Sequence, residues 1–268
     1  MVFYNWSKHL KDNFESFKNS VINEMIDYYG EEYKKDINER LDRVNFVFYG
    51  NTKLGIPSYN QSKYEKMRII LPTKGLKYTP PARKDLKDLV KAISISHTTI
   101  YDPNDNSVNF FILFPLYSSD KHLIHEMVHA ITNTPLCLSE SGKYYAKTGL
   151  EISDDNAELL LEESITEIDA NIIYTRLKDK GTKSFVRELN SSIHQHSCYY
   201  CNFIPQVIDF YINHFKEVNH ARITLDKRSM FKTINKEEYD QLLESINNYE
   251  KELIIKYEGK NNCKVRKL

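Results

Sequence analysis

Apolar residues recur at helical spacing from the start of the chain. Trp6, Leu10, Phe14, Phe17, Val21, Met25 and Ile26 share one face over residues 2–29, and the pattern stops at Gly30. Glu31 to Leu41 predicts a second, shorter helix. The period then changes. Val44-Asn45-Phe46-Val47-Phe48-Tyr49 is rich in β-branched and aromatic residues and predicts a strand ending at Gly50. A polar loop through Gly55-Ile56-Pro57 leads to a second strand at Met67-Arg68-Ile69-Ile70-Leu71. Pro80-Pro81 marks a turn, and Arg83 to Ser94 predicts a helix through Leu86, Leu89, Val90 and Ile93. Thr98–Tyr101 and Ser107–Phe114 flank the turn-forming run Asp102-Pro103-Asn104-Asp105-Asn106, which predicts a hairpin.

The hairpin delivers the chain into a helix. Ser118, Ser119 and Asp120 offer capping oxygens, Leu123, Ile124, Met127, Val128 and Ile131 form an apolar stripe, and Asn133-Thr134-Pro135 ends it. After a loop or short extended segment over 142–152, Ser153-Asp154-Asp155 caps a long helix that runs to about Lys180 and closes at Gly181. Helices are expected at Thr182–Ile193, Phe203–Phe215 and Lys236–Tyr257, followed by a basic tail. The class this pattern predicts is α+β. An N-terminal lobe of mixed sheet and helices (about 1–134) and a mostly helical C-terminal lobe (about 135–268) would form one domain, 1–268.

The chemistry sits in the helix after the hairpin. His125-Glu126-Met127-Val128-His129 reads H-E-x-x-H, and positions i and i+4 of a helix share a face. Both imidazoles can therefore turn toward one zinc ion, with Glu126 beside it as general base. The chain's own His and Glu frequencies give about 0.02 chance matches to this pattern. His122 lies outside the pair. A catalytic zinc takes three protein ligands and leaves one position open. The long helix offers carboxylates at Glu162, Glu163 and Glu167. Glu163 and Glu167 lie one turn apart, so one can bind metal while the other accepts an imidazole N–H. Glu162 is the competing ligand, but position 166 is Thr, so it has no acidic partner one turn on.

These two segments, about Asp120–Tyr174, resemble the gluzincins, the thermolysin-like zinc metallopeptidases, whose second helix carries E-x-x-x-D. Here the match is Glu163-Ser164-Ile165-Thr166-Glu167, with Glu in the last place. The resemblance implies a zincin-like fold with the active-site helix in the cleft between the lobes, and one Zn2+ on His125, His129 and Glu163. It also implies Glu167 as partner of a ligand imidazole, His125's, and a peptide or protein as substrate. Glu162 stands where many members have Asn, and Ser164 where bacterial and phage members often have Gly or Ala. The spacing from His129 to Glu163 exceeds thermolysin's and is closer to that of the clostridial neurotoxin light chains.

Composition narrows the setting. Apolar content is 41% and charged content 28%, and 37 basic residues balance 37 acidic ones. Zero net charge lacks the electrostatic footprint of a nucleic-acid binder. No run of residues has the length and apolarity of a membrane span, and the charged Met1–His9 stretch lacks the apolar run of a signal peptide. Four cysteines in 268 residues do not make a disulfide framework, so a cytoplasmic protein with reduced thiols is expected, leaderless export remaining open. His194, His196, Cys198 and Cys201 have the residue types of a second, structural metal site without finger spacing. Tyr144, Tyr145, His194, His196 and His214 are the candidate donors to a developing oxyanion. The basic run Lys63, Lys66, Arg68, Lys74, Lys77, Arg83 and Lys84 reads as a solvated face. The expected activity is zinc-dependent peptide-bond hydrolysis. The alternatives are a catalytically silent binding or regulatory module on the same scaffold, and a zinc hydrolase of non-peptide amides.

Overall fold

A computed structural model describes residues 2–42, 44–49, 69–71, 96–102, 107–115, 119–132, 137–138, 144–145, 150, 156–185 and 199–258. The expected helix at Arg83–Ser94 lies outside these residues. So does most of the one expected at Thr182–Ile193, whose first residues, 182–185, are not helical.

The α+β class expected from the sequence is corrected. Helices make up most of the described residues, and they carry nearly all of the described core. Backbone pairing does join β1 (Val44–Tyr49), β2 (Ile69–Leu71), β3 (Ser96–Asp102) and β4 (Ser107–Pro115) in the order β2-β1-β4-β3, β1 and β4 being parallel. These strands give the described core only Val44, Phe46 and Ile112. The physical reason is length. Short runs of β-branched and aromatic residues mark strands well, but the apolar surface that organises the packed residues is carried by long helices.

The contacts divide the chain into two compact units, residues 1–147 with 169–196, and residues 148–168 with 197–268. In the first, α1 (Val2–Tyr29) buries Phe14, Phe17, Val21, Met25 and Ile26. Phe14 packs at 4.7 Å from Phe46 of β1 and 5.2 Å from Phe185 (centroid to centroid). Each such fully buried ring contributes about 1.5–3 kcal/mol relative to exposure. Gly30 ends α1 with φ 127° and ψ 147°, a conformation that side chains other than hydrogen rarely adopt. A 3-10 turn (Glu31–Tyr33) then leads into α2 (Lys34–Asp42), which buries Ile37 and Leu41.

α3 (Asp120–Thr132) belongs to the same unit. The backbone N–H groups of His122 and Leu123 donate to the Ser119 carbonyl at its start, 3.0 and 3.4 Å. At its other end the Arg40 guanidinium of α2 donates to the Ile131 carbonyl, one of the acceptors that a helix C-terminus leaves unmatched. β5 (Cys137–Leu138) and β6 (Tyr144–Tyr145) pair as a two-stranded ladder.

α4 (Asn156–Asp179) runs through both contact groups. It closes as the sequence predicts, at Gly181 with φ 72°. Thr182 N–H donates to Leu177 O and Gly181 N–H to Lys178 O, both 2.9 Å, the paired bonds of a Schellman cap.

The second unit continues with a 3-10 turn (Tyr200–Asn202), α5 (Ile204–Asn213), α6 (Phe215–Thr224), the four-residue α7 (Lys227–Met230) and α8 (Lys236–Glu258). The helix expected at 203–215 is thus two helices, broken at His214 and extended to Thr224. Its end comes at Leu225 in the left-handed region, φ 60°, where no glycine announces it. Phe203, Val207, Tyr211, Val218, Ala221, Tyr239 and Ile246 form this unit's core. No described helix is long and apolar enough to cross a membrane.

Candidate metal centre

α3 is buried almost all round, and this gives its polar residues their meaning. Leu123, Ile124, Met127, Val128 and Ile131 are fully buried, and so, nearly, are His125, Glu126 and His129, the last 3% exposed. Ionisable groups withdrawn from water need compensation by partners or a metal. The two imidazoles meet as the i, i+4 spacing predicts. Their Nε2 atoms lie 3.1 Å apart with the ring planes at 77°. A tetrahedral ion with bonds of 2.0–2.1 Å to nitrogen separates two ligand nitrogens by about 3.3 Å. The spacing of this pair therefore fits a shared ion. His125, His129 and Glu163 form a group whose ligand atoms all lie within 4.8 Å of one another.

The carboxylates of α4 sort themselves by what they touch. Glu162 is 1% exposed and committed to Arg222 of α6. Arg222 Nε donates to both of its oxygens, 3.0 and 3.1 Å, and Nη2 donates to Oε1 at 2.8 Å. The Leu150 backbone N–H adds a bond to Oε2 at 3.1 Å. Three bonds from Arg222 and one from Leu150 thus engage Glu162 on its buried side. Glu163, the next residue, leaves the helix about 100° further round and is half-buried. Glu167 is 2% exposed and accepts the Cys201 thiol, Sγ to Oε1 3.6 Å. A solvated acidic face is therefore excluded for Glu162 and Glu167.

The rest of α4 follows the same rule. Lys227 donates to Glu158. Ser164 Oγ returns to the Leu160 carbonyl at 2.6 Å. Asp169, fully buried, accepts the hydroxyls of Tyr28 and Tyr29 of α1, each at 2.8 Å.

Of the other residues singled out in the sequence, His214 is engaged with Glu238 at 3.0 Å, and its ring lies tilted beside that of Phe210. Tyr144 and Tyr145 are described as backbone of β6 only, and His194, His196 and Cys198 lie outside the described residues. His122 is half-exposed in the first turn of α3. Sequence reasoning missed Arg222. No local signal marks it as buried, because Asn219 and His220 interrupt the apolar residues Val218, Ala221 and Ile223 around it.

No family model, curated protein or solved structure matches this chain.

Proposed function

We propose that the chain is a zinc-dependent metallopeptidase of gluzincin type, in which His125, His129 and Glu163 would hold the ion. The observation that carries this reading is the pair of buried imidazoles, Nε2 atoms 3.1 Å apart, on one helical turn that also carries the buried Glu126. When bound, zinc would supply an acidified water and a polarised carbonyl. Glu126 supplies the proton traffic. Its carboxylate takes a proton from the water that adds to the scissile carbonyl and returns it to the amine as the C–N bond breaks. Glu167, one turn beyond Glu163 and buried beside the Cys201 thiol, is suited to orient a ligand imidazole, His125's, through its N–H. The substrate is a peptide or protein, and the scarcity of cysteine supports a reducing, cytoplasmic setting.

The test is elemental analysis of the purified chain beside His129→Ala. One zinc per wild-type chain, lost in the variant, is the expected result. Full occupancy in His129→Ala would remove the site.

A further inference from the structure

Two chemically identical carboxylates sit side by side at positions 162 and 163, and either could ligate a metal. What distinguishes them is the partner of the first. Arg222 is 0% exposed, and its guanidinium grips α4 at two levels, Glu162 through Nε and Nη2, and Thr166, one turn on, through Nη2 at 2.8 Å. The arginine is itself fixed. Nη1 donates to Asn219 Oδ1 at 3.0 Å, and Asn219 Nδ2 donates to the Tyr211 hydroxyl at 2.7 Å. The Leu150 N–H completes the enclosure of Glu162.

A planar fork bound at positions i and i+4 of one helix resists rotation of that helix about its axis, because any turn breaks several bonds to a buried charge at once. With about 100° between successive side chains, the same grip sets the direction in which Glu163 departs.

We infer that Arg222 is a positioning residue. Through Glu162 and Thr166 it locks the rotational phase of α4 so that Glu163, and not Glu162, is presented as the third metal ligand. This rests on the metal-site reading above and goes beyond it by assigning a role to a residue that touches neither metal nor substrate.

The experiment uses the full chain stripped of metal and titrated with zinc against a competing chelator, and separately with Co2+ followed by its visible absorption. Arg222→Lys keeps the charge and loses the fork. Thr166→Val removes the lower grip without stranding a charge. Arg222→Lys should bind zinc 10- to 100-fold more weakly, the range seen when an outer partner of a ligand is lost, with an altered cobalt spectrum. Thr166→Val should move both in the same direction by less. A purely structural role would lower the melting temperature of the metal-free protein and leave both metal readouts at wild-type values in the folded protein. That result overturns the inference. If Arg222→Lys does not fold, Thr166→Val decides in the same way. Wild-type protein that takes up neither zinc nor cobalt would overturn the metal site itself, and the positioning role with it.

Discussion

Glu162→Gln separates the two neighbouring glutamates by what each supports. The substitution keeps the shape of the side chain and removes its charge. The partner left behind is a guanidinium with no solvent exposure, which also donates to the neutral Asn219 and Thr166 oxygens. Three arginine bonds of 2.8 to 3.1 Å and the Leu150 N–H bond converge on the Glu162 carboxylate, so little water can enter to compensate. Breaking a buried ion pair by removing one partner costs about 3–5 kcal/mol, a large part of the 5–15 kcal/mol typical of a folded domain. Urea unfolding of the metal-free protein, followed by far-UV circular dichroism, should show a loss of that size for Glu162→Gln and less than about 1 kcal/mol for Glu163→Gln, whose side chain is half-buried. Zinc retention should show the opposite order, being abolished in Glu163→Gln and only weakened in Glu162→Gln. Loss of under 1 kcal/mol in Glu162→Gln together with complete loss of zinc would refute the division of labour.

Two further substitutions test the scaffold. Tyr29→Phe removes one of the two phenol donors to the buried Asp169 carboxylate and should cost about 1.5–3 kcal/mol, the range for a hydrogen bond to a charged group, measured by the same urea titration. Gly30→Ala should cost about 1–3 kcal/mol, because φ 127° is strained for any side chain. Wild-type stability in the latter would show that the turn after α1 can relax.

How far the sequence reaches depends on the range of the interactions involved. The ends of α1 and α4 were readable because each is set by a local event, a glycine taking positive φ at Gly30 and at Gly181. The approach of the two imidazoles was readable for the same reason, since four residues of helix bring His125 to His129 whatever the rest of the chain does. The preference for Glu163 over Glu162 came from phase alone, through Glu167 one turn on.

The fold class was misjudged because strand-forming runs such as Val44–Tyr49 are conspicuous locally, whereas the share of the core that each element carries is decided by tertiary packing. The break at His214 and the stop at Leu225 carry no glycine or proline and were invisible. Arg222 meets Glu162 across sixty positions of chain, and Asp169 finds Tyr28 and Tyr29 across about 140. The sequence could say that such charges need partners, not which ones.

The central claim is that Glu126 is a general base in a metal-dependent peptidase. The most direct measurement incubates a mixed-peptide library with zinc-loaded wild type, Glu126→Gln and chelator-treated protein, read by mass spectrometry. Gln keeps the shape and hydrogen-bonding capacity of the side chain and loses the group that accepts the proton. Wild type should cleave, chelation should stop it, and Glu126→Gln should retain its zinc while turnover falls by at least about 10²-fold, the scale of losing a general base. Cleavage that survives both the substitution and the chelator would contradict the account.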